Sequence, residues 1–157
     1  MSQLPIYSNM LQEQPGYLNP LTFLHCPTRR DLKGTNFVIQ AVKELVEEGY
    51  SLRLRICENQ PHEAVLAAMQ DADVVIDQLL IGWYGMVAVE AWSFIKPVIC
   101  YISPYLYKKY DVPVHLASPL TIKVSIRDFV DHPEKCEIYG VRGREYVERV
   151  HDIRKLD

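Results

Sequence analysis

The sequence predicts an α/β domain built on a doubly wound parallel sheet of about five strands in a single three-layer arrangement. Short apolar runs recur along the chain, and the segments between them have apolar residues at the helical period of 3.6. These two patterns alternate from residue 21 onwards, which is typical of a parallel sheet with crossover helices on both faces. The length of 157 residues suits one domain with one core.

Composition narrows the class of protein. Hydrophobic residues make up 48% of the chain and charged residues 24%, which is the composition of a globular domain. The net charge of −3 argues against general nucleic-acid binding, which needs a basic face. No apolar run approaches the ~18 residues of a membrane span, and the first twenty residues do not resemble a signal peptide. The four cysteines form no C-x-x-C motif, so we expect buried, reduced thiols and a cytoplasmic location.

The first third of the chain predicts an arm, a strand and a helix. Residues 1–20 have no hydrophobic period and are interpreted as a linker or N-terminal arm. Leu21–His25 is an apolar run, predicted to be a buried strand that ends before Pro27. Residues 28–35 are predicted to be a polar loop. The helix that follows ends at Gly49, and its inner face is formed by Phe37, Val38, Ala41, Val42, Leu45 and Val46.

The remaining elements continue the alternation. Residues 51–57 alternate polar and apolar side chains, which favours an edge strand lying outside the first one. Residues 72–76 are all apolar, which predicts a strand buried on both faces and placed on the other side of the first. Further strands are predicted at 97–102 and 114–117, and helices at 62–71, 86–94, 120–130 and 134–150. The direction in which successive strands are added to the sheet therefore reverses between the first and third strands.

A glycine-bracketed aromatic pair, Gly82-Trp83-Tyr84-Gly85, precedes the helix predicted from Met86. Glycine adopts backbone angles that other residues resist, so Gly85 suits a tight turn close to a ligand. A helix start presents unpaired N–H groups and a positive dipole end, which favour phosphate. Glu90 lies a little over one turn inside this helix, within reach of sugar hydroxyls beyond the phosphate.

Two loops follow the strands that flank the predicted reversal, residues 28–35 and 77–85, and ligands of doubly wound sheets bind at such a point. The first loop carries Arg29, Arg30 and Lys33, three cations within five residues. Arginine pairs with phosphate oxygens in a fork and lysine acts as a point charge. We therefore expect a diphosphate between the basic loop and the glycine turn.

Three motifs carry a resemblance to a known family: Pro27-x-x-Arg30-x-x-Lys33-Gly34-Thr35, Gly-x-Tyr-Gly-x-x-x-x-Glu-Ala at residues 82–91, and Lys96-Pro97-Val98-Ile99. Together they resemble the carboxyl-terminal, donor-binding domain of a GT-B glycosyltransferase of the retaining family 4 (group 1) type, over residues 21–131. The resemblance implies a Rossmann-like nucleotide-sugar-binding domain at 21–157. It also implies diphosphate contacts from Arg29 or Arg30 and Lys33, backbone amides from Gly85, Met86 and Val87, and a ribose contact from Glu90.

The resemblance also implies an activity, the transfer of a hexosyl group from a sugar nucleotide to a glycan or other acceptor, without a metal or further cofactor. GT-B enzymes hold the two substrates between two halves, and catalysis depends on holding both reactants together. The isolated chain is therefore expected to bind the donor without turnover, and to need an N-terminal GT-B half or a separate subunit. The family pattern has two glutamates eight residues apart, and here Gly82 and Glu90 occupy those positions. Asp77-Gln78 stands where many members have Pro-Ser, and Ile95 replaces a common glycine.

Two alternatives stay open at this point. A sugar-nucleotide epimerase half-domain has the same plan and needs acid/base groups, for which His25 and Asp77 are the candidates. A non-catalytic protein-interaction module would use the crevice, or the tyrosine-rich surface after residue 102, to bind a partner.

Overall fold

A computed structural model describes residues 6–8 and 20–151 of the chain. Its strands are β1 (Ile6–Ser8), β2 (Leu21–His25), β3 (Leu52–Ile56), β4 (Val74–Ile76), β5 (Val98–Cys100) and β6 (His115–Leu116). Its helices are α1 (Arg30–Lys33), α2 (Thr35–Glu47), α3 (His62–Asp71), α4 (Met86–Ser93), α5 (Pro104–Tyr110), α6 (Ile122–Asp131) and α7 (Lys135–Tyr146). A π-helical turn, Val147–His151, continues α7. None of the helices described is both long enough and apolar enough to cross a membrane.

The strands form one sheet in the order β1-β3-β2-β4-β5-β6. The five strands from β2 to β6 are parallel, with His25 opposite Ile56 on one side and opposite Ile76 on the other. This arrangement confirms the predicted doubly wound fold, because β3 and β4 flank β2 on opposite sides. The reversal therefore lies between β2 and β4.

A sixth strand was not predicted. β1 lies within the predicted arm and pairs antiparallel with β3, with Ile6 opposite Arg55. Three residues are too few for a hydrophobic period, and the outer edge of β3 offers unpaired backbone groups to any strand. β3 is therefore the edge of the parallel part of the sheet, with β1 outside it. The rest of the predicted arm, residues 1–5 and 9–19, lies outside the described residues.

Helices cover both faces of the sheet. Phe23 of β2 points to the side covered by α2 and α6, where Leu45 and Phe129 are fully buried. Its neighbour Leu24 points to the other side, which is covered by α3, α4 and α7. Alternation along a strand places successive side chains on opposite faces, so each strand contributes to both halves of the core. Phe37 was predicted on the inner face of α2 but is exposed.

Three details of the helices differ from the predictions. α1 and α5 lie in segments predicted to be loops, and both are too short for a hydrophobic period to reveal them. Pro104 starts α5, a position where the missing N–H of proline costs nothing. The helix predicted at 134–150 changes to π-helical geometry after Tyr146. The strong charge of α7 predicts a surface helix, but one of its faces is buried against α4, at Gly140 and Gly143.

Candidate functional site

The candidate site lies at the carboxyl ends of β2 and β4, where the two loops selected from the sequence are in contact. The backbone N–H of Leu79, after β4, donates to the carbonyl oxygen of Lys33, at the end of α1, over 3.2 Å. Gly34 follows Lys33 with a φ of 76°, in the left-handed region that favours glycine. A Cβ at Gly34 would lie 3.0 Å from the Cβ of Leu79. The two loops are thus packed against each other, as the predicted reversal requires.

Lys33 is directed into this crevice. Its ammonium donates to Oε1 of Gln78 over 2.7 Å and lies 3.8 Å from Oδ1 of Asp77. Its side chain is only 15% exposed. A Cβ placed on Gly85 would lie 3.8 Å from the ammonium nitrogen, so the cation and the start of α4 share one small space. Lys33 and Gly85, predicted to act together, are brought together.

Asp77 and Gln78 hold the loop that leads to α4. Asp77, whose side chain is 1% exposed, accepts the Gly85 N–H at Oδ2 over 2.8 Å. Burial raises the pKa of Asp77, while that N–H and the charge of Lys33 act in the opposite direction. Gln78 donates through Nε2 to the carbonyl oxygen of Trp83 over 2.5 Å. The sequence suggested Asp77 as an acid/base candidate but did not predict that it anchors this loop. The usable signal was a polar pair placed directly after a fully apolar strand.

The backbone of the glycine turn differs from the prediction. Gly85 has a φ of −109° and a ψ of −171°, which is extended backbone open to any residue. Gly82 instead has the left-handed φ of 94°. Gly85 matters because it lacks a Cβ beside Lys33, and not because of strained angles. Its N–H, predicted to bind phosphate, is occupied by Asp77 in this structure.

α4 begins directly after this turn. Gly85 is its N-cap, and no side chain of the described residues caps it. The amides of Met86 and Val87 belong to the first turn, where an α-helix provides no internal acceptor. Met86 is 64% exposed, so the first turn is open to solvent. The N-terminal end of α4 therefore offers two amides and the positive end of its dipole beside Lys33.

The two arginines of the predicted basic loop are engaged elsewhere. Arg29 pairs with Asp31 over 2.7 Å, and both side chains are well exposed. Arg30, through Nε, donates to Oε2 of Glu58 in the turn after β3 over 2.8 Å. The ion pair with Arg30 lowers the pKa of Glu58. Of the three predicted cations, the structure brings Lys33 to the glycine turn, while Arg29 and Arg30 pair with carboxylates at the rim.

Glu90 lies on α4 and is directed towards α3. Its Oε2 accepts from Nε2 of His62, the first residue of α3, over 2.8 Å. The Glu90 side chain is 21% exposed, and burial raises its pKa while His62 acts in the opposite direction. The predicted ribose ligand is thus accessible and is held by one histidine.

His25 lies beneath the crevice and is part of the core. Its Nδ1 donates to the carbonyl oxygen of Ile76, and Thr35 donates its hydroxyl to Nε2, both over 2.9 Å. Burial lowers the pKa of His25 to about 4. Both ring nitrogens are occupied, so the histidine connects β2, β4 and α2, and neither nitrogen is open to a substrate.

Other candidate sites lie away from these residues. A recess of about 310 Å³ between α5 and α7 is lined by Tyr107, Tyr139, Arg142 and Arg149, among others, and contains none of the predicted site residues. Within residues 6–8 and 20–151, no group of three or more histidine, cysteine, aspartate or glutamate side chains is arranged to hold a metal ion.

Comparison with known proteins gives structural likeness only. No protein-family model matches the sequence, and no curated protein matches it. A mutant of S. aureus TarM crystallised with fondaparinux, α-GlcNAc-glycerol and UDP is similar, with a TM-score of 0.66 at 11% identity over 85% of this chain and 34% of that one. A crystal structure of TarM gives a TM-score of 0.59 at 12% identity, over 85% and 33%. At such identity the likeness shows the fold alone, and the chain spans about a third of TarM.

Proposed function

We propose that this chain is the sugar-nucleotide-binding half of a glycosyltransferase of GT-B fold, of the retaining family 4 type. The observation that carries the proposal is the meeting of Lys33, Gly85 and the start of α4 in one crevice at the reversal of the sheet. A cation and a helix start together suit a diphosphate. The TarM mutant that shares this fold was crystallised with UDP, which supports a nucleotide as the ligand class.

In the proposed complex each residue has a definite task. Lys33 exchanges the amide oxygen of Gln78 for a phosphate oxygen, and the amides of Met86 and Val87 donate to the same group. Glu90 exchanges His62 for the ribose hydroxyls. Arg29 and Arg30 would contact the diphosphate by exchanging Asp31 and Glu58 for phosphate oxygens. The turn at Gly85 contributes space rather than its N–H.

Transfer requires a second body, because the reaction joins a donor to an acceptor held in place. We propose that an N-terminal GT-B half, or a separate subunit, covers the crevice and that a hexosyl group passes to a glycan or other acceptor in the cytoplasm. Four exposed apolar side chains on the segments around the crevice support such a cover: Leu32 in α1, Leu80 and Ile81 after β4, and Met86 in α4. Exposed apolar patches commonly mark interaction surfaces.

The proposal is tested by calorimetric titration of the chain with UDP-, GDP- and ADP-sugars. Lys33→Ala is expected to weaken binding by about ten- to a hundredfold, since a hydrogen bond to a charged group is worth roughly 1.5–3 kcal/mol. Glu90→Ala is expected to weaken it by about tenfold on the same scale. Lys108→Ala, which removes an exposed lysine of α5, is the matched control and should leave affinity unchanged. Undiminished binding in both crevice variants would contradict the assignment.

A further inference from the structure

We infer that Asp77 is the positioning residue of the crevice: its carboxylate aims the glycine turn and moderates the charge that Lys33 presents to an anion. This inference rests on the function proposed above and concerns the same site. It assigns two separate tasks to the two oxygens of one side chain, and each task follows from a different contact.

The first task is that of an acceptor. Asp77 directly follows β4, and its backbone N–H donates to the carbonyl oxygen of Ile99 in β5 over 2.8 Å, so its main chain is held by the sheet. From this fixed point, Oδ2 accepts the N–H of Gly85, eight residues further on, over 2.8 Å. A buried carboxylate that binds a backbone amide forms a strong, charge-assisted contact. The contact sets where α4 begins and therefore where the amides of Met86 and Val87 point.

The second task is that of a counter-charge. Oδ1 lies 3.8 Å from the Lys33 ammonium, while the short contact of that ammonium, 2.7 Å, is to the neutral oxygen of Gln78. Lys33 is thus held close by an amide and at longer range by a carboxylate. A bound phosphate would replace Gln78 without displacing Asp77, whose negative charge would then oppose the phosphate. Asp77 therefore lowers the affinity for an anion while it shapes the site that binds one.

The two tasks are separated by two substitutions. Asp77→Asn keeps a side-chain oxygen for the Gly85 N–H and removes the charge. Asp77→Ala removes both. We expect Asp77→Asn to bind UDP about threefold to tenfold more tightly than the unaltered chain, and Asp77→Ala to bind it at least tenfold more weakly. A role in folding alone would weaken both variants, and a role in charge alone would strengthen both. Asp111→Asn, at an exposed aspartate after α5, is the control and should change nothing.

A pH profile tests the charge directly. Among the described residues, the thiols of Cys26, after β2, and Cys100, in β5, interact electrostatically with Asp77, in addition to Lys33. Burial raises the pKa of both thiols, so neither changes its charge between pH 4.5 and 8. The ratio of UDP affinities between Asp77→Asn and the unaltered chain should fall towards one as the pH is lowered and Asp77 takes a proton. The ionisation of UDP cancels in this ratio, and a flat ratio would overturn the counter-charge.

The Gly85 amide gives a readout that needs no ligand. Its resonance position and its protection from hydrogen exchange should persist in Asp77→Asn and be lost in Asp77→Ala. Equal protection in both variants would overturn the acceptor role, even if UDP bound as expected. If the unaltered chain bound no nucleotide, the proposed function and the counter-charge would both be overturned, while the Gly85 amide would still decide the acceptor role.

Discussion

Glycines serve two regions of this molecule in opposite ways. At the crevice, a methyl group added to Gly85 would meet only ordinary contacts, 3.6 Å from Gln78 Oε1 and 3.8 Å from Lys33 Nζ. At the seam between α4 and α7, a methyl group on Gly140 would overlap the carbonyl group of Ile95. One on Gly143 would overlap the ring of Trp92. Gly85 therefore has room for a methyl group beside polar side chains, whereas Gly140 and Gly143 have no room for one.

This difference distinguishes a glycine that makes room for a ligand from a glycine that lets two helices touch. The seam is aromatic and apolar, with Trp92 packed against Tyr84 and Tyr146. The crevice contains buried or half-buried charge, in Lys33, Asp77 and Glu90. Stability should therefore depend on the seam, and ligand binding and pH response on the crevice. Four changes test that division.

The largest effect is expected at the seam. Gly143→Ala forces a methyl group into the Trp92 ring, and overpacking of this kind costs about 3 kcal/mol of unfolding free energy. Val141→Ala, at an exposed position of the same helix, should change stability by less than about 0.5 kcal/mol. Urea unfolding of the two variants measures the difference. A Gly143→Ala protein as stable as the unaltered chain would mean that the two helices are not in contact there.

The second effect concerns pH. The folded-state pKa of His25 is about 4, below its ordinary value of 6.5. The unfolded chain therefore takes up a proton at a higher pH than the folded one, so this contribution to stability is complete above about pH 6.5 and is lost as pH falls to 4. The shift corresponds to roughly 3 kcal/mol.

An NMR titration of the His25 imidazole resonances checks this prediction. A His25 midpoint near pH 6.5 would show that the ring is not held between Ile76 and Thr35 in the core beneath the crevice.

The third effect separates binding from folding. Gly85→Ala is compatible with the extended backbone at this position and should change unfolding free energy by less than about 0.5 kcal/mol. The methyl group occupies space beside Lys33, so nucleotide affinity should fall by about tenfold, equivalent to roughly 1.4 kcal/mol. Calorimetry and urea unfolding on the same sample give both values. A loss of stability with no loss of affinity would show that Gly85, like Gly143, is needed for packing and not for ligand binding.

The smallest effect returns to the seam. Ile95 has a φ of 59°, in the left-handed region that disfavours a β-branched residue. Replacement by glycine should stabilise the protein by about 0.5–1 kcal/mol, since relief of strain exceeds the added entropy of the unfolded chain. Ile138→Gly, at an exposed site inside α7, is the control and should destabilise by about 1 kcal/mol. The same sign in both variants would contradict the assignment of strain to Ile95.

The parts of the fold that sequence could predict are those with a strong period or a long apolar run. The helix His62–Asp71 and the reversal around β2 follow from patterns that local composition determines. α1, α5 and β1 are too short for a pattern, and their positions depend on the neighbours they pack against. Phe37 was misplaced because it lies at the margin of the apolar stripe of α2.

The candidate site was predictable in place and only partly in detail. The meeting of Lys33 and the glycine turn follows from the topology. Both come after the carboxyl ends of the neighbouring parallel strands β2 and β4. The sequence pattern did not predict that Lys33 binds Gln78 and Arg30 binds Glu58. These pairings depend on the distances between loops in the folded chain. The backbone conformation of Gly85 and the hydrogen bond from its N–H to Asp77 also depend on how the folded loops are placed.

Binding of a nucleoside diphosphate in the crevice, and not at the seam, is measured by titrating the ¹⁵N-labelled chain with UDP and following the backbone amides. We expect progressive, saturable shifts at Gly85, Met86 and Val87, with Gly140 and Gly143 unmoved. Shifts confined to the seam glycines, or none at saturating UDP, would show that the crevice is not the nucleotide site.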